Sequence, residues 1–319
     1  MNYAVWLPLL VPLLAVPVAR RAADRLAPRA AVWTLSVAAV TLAACSTLAL
    51  GTLLLAGALR LPPVAALENI RPHWLDAPSW WTAPAAVAAG LGLAVCAAGA
   101  GWRLLSQRRE LRRARAALGP TAGDLSVDDH HHPYAYALPG TRGASGSVVV
   151  SSAMLQALAP AERDALLAHE RAHLRGRHHL FLGAAQLCAI LHPALRALRP
   201  ALSFHLERLA DEAAASAVGD RRLTARAISR AALAAHDSRT RPPRPSAALG
   251  ATTGPVPQRV LALLTPAATA PRRAARHLGQ AVAAALLCCL ALSAAGALDA
   301  FCDLHADVEV AQTYWPTGP

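Results

Sequence analysis

The chain contains no lysine: all 31 of its Lys and Arg positions are arginine. Alanine recurs throughout, the bias that a GC-rich genome imposes on any protein, so the choice of Arg over Lys says nothing about function. No C-x-x-C pair occurs among the six cysteines, Cys45, Cys96, Cys188, Cys288, Cys289 and Cys302. That absence argues against a cysteine metal or redox motif. Most of these thiols lie in apolar runs, where they behave as small hydrophobes, and no disulfide framework is expected. Zinc-finger spacings and RNA-binding aromatic motifs are missing as well. The net charge of +12 is therefore not read as a nucleic-acid footprint, and direct nucleic-acid binding is not expected.

Apolar residues are abundant instead, at 55% of the chain with a mean hydropathy of +0.34, which points to a membrane protein. Four stretches lack charge for long enough to cross a bilayer, about residues 3–19, 31–58, 79–102 and 278–298. The first has no basic residue ahead of it and no clean A-x-A site after it, so a retained span is expected over a cleaved signal peptide. Arg20, Arg21, Arg25 and Arg29 crowd the first connection against Asp24 alone, whereas Arg60 and Arg71 balance Glu68 and Asp76 in the second. Arginines also follow the third stretch (Arg103, Arg108, Arg109, Arg112, Arg113, Arg115) and precede the fourth (Arg272, Arg273, Arg276). The positive-inside bias places the first loop and the central segment in the cytoplasm, facing anionic lipid, and both termini outside. The tail carries Asp299, Asp303, Asp307 and Glu309 without arginine.

The reading is mainly α: a polytopic helical membrane protein of about four spans with a cytoplasmic α+β zincin-like domain. Its parts are three spans in 1–102, a metallopeptidase domain in 103–277, a fourth span in 278–298 and a short extracytoplasmic tail in 299–319. Within the central segment an Arg-rich amphipathic helix comes first, then a polar loop from Gly119 to His132. Tyr134–Leu138 and Ser147–Ser151 flank Pro139-Gly140 and read as a β-hairpin. Pro160, Glu162 and Asp164 suit a helix start. Leu180–Leu191 suits either a membrane-facing helix or buried core, and Ser238–Pro257 reads as a mobile loop.

His169-Glu-Arg-Ala-His173 is an H-E-x-x-H motif. Residues four apart share a helix face, so both imidazoles can reach one metal, while Glu170 is offset and meets water. Zinc polarises a scissile carbonyl and lowers the pKa of water towards about 7, and Glu170 would act as the base. Glu207, on the next strongly helical segment, would complete a His/His/Glu site with an open position, one zinc per chain. Asp211, one turn on, could accept the outer N–H of a ligand His, with His169 preferred. His130, His131 and His132 read as a solvated loop cluster, and His178 and His179 as interfacial residues. His205 and His236 are weaker candidates for donors to a tetrahedral intermediate.

These motifs, His169-Glu-Arg-Ala-His173 and Glu207-Arg-Leu-Ala-Asp211, preceded by Tyr136-Ala-Leu-Pro-Gly140 and Val148-Val-Val150, resemble the BlaR/MecR family of membrane zinc metallopeptidases, relatives of the HtpX and CAAX-prenyl protease group. The resemblance covers about residues 100–265. It implies a catalytic domain between the third and fourth spans, acting on a protein or peptide substrate such as a cytoplasmic winged-helix repressor or a membrane-associated protein. It also implies that the Tyr134–Leu138 strand presents its edge to an extended substrate. In the prenyl-protease relatives a His shortly before an Arg aids the oxyanion. Arg259 matches that Arg and is the candidate stabiliser, but Thr253 stands where the His would fall. BlaR and MecR carry a large extracellular sensor after the last span, and with about twenty residues after Leu298 none is expected here. The alternative is a signalling membrane protein with a structural or vestigial zinc site, against which an intact Glu170 argues.

Overall fold

Prolines do not prevent the first apolar stretch from forming a helix. In the computed structural model, which describes residues 3–67, 81–118, 123–140, 145–237, 255–265 and 273–313, a 3-10 turn at Tyr3–Trp6 leads into α1 (Leu7–Ala23). Pro12 has no N–H to offer the carbonyl of Pro8 four residues back. Ser46 Oγ, on α2 (Pro28–Ala58), lies 2.8 Å from that carbonyl and from Leu42 O, and its one hydrogen can be donated to either. A donor of this kind is one way an apolar bundle tolerates an interior proline.

The third and fourth apolar stretches are parts of longer helices, α4 (Thr82–Leu118) and α11 (Arg273–Thr313), after the short α3 (Pro62–Leu67). The 37 residues of α4 extend about 55 Å, well beyond a hydrocarbon core of about 30 Å. The apolar segment and the Arg-rich segment after it are therefore one helix, with no proline between Pro84 and Leu118 to break it. Likewise α11 continues through the acidic residues after Leu298. Among the described residues four helices, Tyr3–Ala23, Pro28–Ala58, Thr82–Leu118 and His277–Gln312, are long and apolar enough to cross a membrane. Gly57 allows α2 and α4 to meet, since a Cβ there would overlap that of Ala86.

The hairpin is part of a larger sheet. Strands β2 (Ala135–Leu138) and β3 (Ser147–Ser151) pair antiparallel, with Tyr136 opposite Val149. A further strand, β1 (Leu125–Asp128), pairs parallel with β3, giving the order β1-β3-β2. It lies within the polar stretch expected to be loop, whose alternation is too short and too polar to show as a strand. Tyr134, Tyr136, Leu138 and Val149 pack on Leu111, Ala114 and Leu118 of α4. Ala135 and Val150 pack on the opposite side with Leu166 and Ala231. Burial on both faces explains why Val148-Val-Val150 is uniformly apolar instead of alternating.

Helices α5 (Ser152–Ala157), α6 (Pro160–Arg175), α7 (His178–Leu191), α8 (Leu198–Val218), α9 (Arg221–Asp237) and α10 (Val256–Leu264) follow. Pro160 opens α6, where no N–H is needed, and Glu162 Oε2 accepts from Ala159 N at 3.0 Å. The apolar α7 is core: Leu182, Ala185 and Cys188 join Leu198, Leu202 and Leu206 of α8 in one cluster with α1 and α2. His192 Nε2 lies 3.0 Å from Leu9 O, and Cys96 Sγ of α4 lies 3.3 Å from Ile190 O. Of the expected mobile loop, residues 238–254 lie outside the described residues, and Pro257 falls within α10.

Candidate metal centre

Two helices build the centre. On α6 the four-residue spacing turns His169 and His173 to one side, and their Nε2 atoms stand 3.1 Å apart. Helix α8, packed against α6, brings in Glu207, whose Oε2 is 3.5 Å from His169 Nε2 and whose Oε1 is 3.6 Å from His173 Nε2. One ligand atom from each of the three residues falls within 4.8 Å of the others, the single cluster of this kind among the described residues. His169, Glu170 and Glu207 are completely buried, and His173 is 2% exposed. Such a set of donors is costly to bury unless something compensates it.

The outer side of each imidazole is also engaged. His169 Nδ1 lies 2.9 Å from Asp211 Oδ1, one turn beyond Glu207 on α8. His173 Nδ1 lies 2.7 Å from His178 Nδ1. Both Nε2 atoms are thereby directed at Glu207, and two imidazole nitrogens with one carboxylate are a set that suits zinc with an open position. His178, expected at an interface, is instead buried at 2% exposure as the first residue of α7. The reversal of the chain at Gly176-Arg177 brings it back, and a glycine after the motif helix was the only sequence sign of it.

Arg259, the candidate oxyanion stabiliser, is directed at the carboxylates of the centre. Its side chain is fully buried, with Nε 2.8 Å from Asp211 Oδ2, Nη2 2.6 Å from Asp211 Oδ1 and Nη1 3.0 Å from Glu207 Oε2. The fork geometry of guanidinium matches this bidentate arrangement. Thr253, its comparison point in the sequence, lies outside the described residues.

Charges follow from these contacts. Burial alone would lower His169, but Asp211 and Glu207 outweigh it and raise it to about 9. Burial, then the neighbouring His169, holds His173 well below its ordinary value, and burial brings His178 down to about 4. Asp211 stays ionised, because Arg259 and His169 overcome the burial that would raise it.

Among the described residues, the remaining histidines do not join the centre. His130 Nδ1 accepts from His132 N within their loop. His205 is buried, but two residues before Glu207 on the same helix place it about 200° around the axis. His236 is exposed near the end of α9.

No curated protein and no solved structure matches the chain. The model of peptidase family M48 matches residues 107–200, from the Arg-rich half of α4 through the sheet and α6 to the start of α8. It takes in His169, Glu170 and His173 and stops short of Glu207, Asp211 and Arg259. Residues 107–200 are thus similar to a metallopeptidase family, in a chain with four helices suited to cross a membrane.

Proposed function

We propose that the chain is a membrane-anchored zinc endopeptidase of the HExxH gluzincin type. The observation that carries this reading is the convergence of His169, His173 and Glu207 on one buried point beside Glu170, within a chain whose residues 107–200 are similar to peptidase family M48. His169 and His173 would hold one zinc through Nε2 and Glu207 through its carboxylate. When bound, zinc polarises the scissile carbonyl and makes water a competent nucleophile near neutral pH.

The protein's own groups do the rest. Glu170 takes the proton of the attacking water and delivers it to the leaving amine, a role that its offset from the two imidazoles on α6 suits. Asp211 orients His169, and Arg259 holds Asp211 and Glu207 in place as a positioning residue. Strand β2 is at one end of the described sheet and packs beside α6, so an extended substrate segment could add alongside it. The Arg bias supports a cytoplasmic centre with both termini outside. The resemblance to BlaR/MecR adds a cytoplasmic repressor or membrane-associated protein as substrate.

The test is metal analysis joined to an assay of proteolysis on a co-expressed substrate. Bound zinc with cleavage that depends on Glu170 supports the reading. Bound zinc with cleavage indifferent to Glu170 turns it into a structural site.

A further inference from the structure

We propose that His178 is a positioning residue of this centre: it holds His173 in the one tautomer that can present Nε2 to a metal, and the Gly176-Arg177 turn is built to put it there. The inference rests on the reading of His173 as a ligand. It concerns a residue outside both the H-E-x-x-H motif and the Glu207 helix.

Two ring nitrogens 2.7 Å apart in a buried setting must share one hydrogen, since two bare lone pairs or two N–H groups facing each other would repel. If the hydrogen belongs to His178, neutral His173 carries its own on Nε2. That atom faces His169 Nε2 at 3.1 Å, so a proton there occupies the metal's place. If it belongs to His173 Nδ1, then Nε2 is free to bind and His178 Nδ1 accepts. His178 then carries its remaining hydrogen on Nε2, which lies against Gly176, and the residue borders a cavity of about 440 Å³ shared with Arg29, Val32 and Trp33 of α2. A cavity of that size can admit water beside this imidazole. The tautomer of His178 therefore decides whether His173 can be a ligand.

The local backbone is shaped for this contact. Five residues further along an unbroken helix would be about 140° around the axis from His173, out of reach. Instead α6 stops at Gly176, and Arg177 takes a left-handed conformation at φ 48°, so that the chain doubles back and opens α7 with His178. Gly176 is needed for a second reason: a Cβ on it would overlap His178 Nε2 and come within 2.6 Å of Cδ2. Any other residue there would push the imidazole out of its place against His173.

The experiment measures zinc affinity of the full-length purified protein by competition with a chelator of known affinity, with thermal unfolding of the metal-free protein as a check on folding. His178→Ala should bind zinc about 10- to 100-fold more weakly, the usual effect of losing such a partner. His178→Asn, whose Oδ1 can stand where Nδ1 stood, should recover most of the loss. Gly176→Ala should weaken binding although His178 is still present. If His178→Ala binds zinc as tightly as the wild type, or if His178→Asn is no better than His178→Ala, the proposal is overturned. Should His178→Ala fail to fold, Gly176→Ala and His178→Asn decide it by the same measure. A wild-type chain that binds no zinc overturns the metal-centre reading and this inference together, whereas loss of the proposal alone leaves wild-type binding intact.

Discussion

Arg259 Nη1 stands 3.0 Å from Glu207 Oε2, joining two residues 52 positions apart on α10 and α8, while the other side of the same guanidinium grips Asp211. One buried cation thus compensates both the metal-facing carboxylate and the carboxylate that orients His169. Arg259→Met should leave two buried carboxylates with His169 as their remaining counter-charge among the contacts described and destabilise the metal-free protein by about 3–5 kcal/mol. Arg259→Lys should restore little, because an ammonium cannot span both oxygens of Asp211 and reach Glu207 as well. Chemical denaturation of the chelated protein would measure this. A loss below about 1 kcal/mol for Arg259→Met would mean that these ion pairs do not hold the centre together.

The purified protein should hold about one zinc per chain, because three protein ligands leave one position open without a second metal. Metal analysis after zinc-replete purification measures it. A folded preparation without metal would sink the peptidase reading.

Glu170→Gln and Glu207→Ala should fail in different ways. The first removes the base and keeps every ligand, so zinc should persist while proteolysis falls at least about a hundredfold. The second removes a ligand, and chelators should strip the metal far more readily. Zinc content and cleavage of a co-expressed substrate, measured on both variants, separate these effects. Unchanged cleavage by Glu170→Gln would assign the metal a structural role.

The metal-free protein should be most stable around pH 6.5. His169 is raised from 6.5 to about 9, so its contribution is complete below about 6.5 and is lost as the pH rises through about 9. His173 and His178 are lowered, His178 to about 4. They lose stability as the pH falls below about 6.5, where the unfolded chain takes up protons that the folded one refuses. Thermal unfolding of the chelated protein across this range tests the sign. A steady gain in stability between pH 6.5 and 9 would contradict it.

Reporter fusions should place Ser238–Pro257 in the cytoplasm and the residues after Leu298 outside, because arginines flank the central segment at both ends and are absent from the tail. Cytoplasmic labelling of the tail would invert the topology.

The features that could be read directly are those set by local periodicity. Charge-free length marks a span whatever surrounds it, and the spacing of His169 and His173 turns both to one face of any helix they form. The same rule relates Glu207 to Asp211. Where one element ends and the next begins was less legible: α4 and α11 run on past their apolar limits, because nothing in their backbones stops a helix at the point where polarity changes. Strand β1 was not legible because four alternating residues, Leu125-Ser-Val-Asp128, within a polar stretch become a strand only when β3 offers its edge. Long-range partnerships left no local mark at all. Nothing near Arg259 announces two carboxylates on another helix, and nothing near His178 says that a left-handed Arg177 returns it to His173. Those contacts exist only once α6, α8 and α10 pack, since burial is what makes an unpaired carboxylate or imidazole costly enough to require a partner.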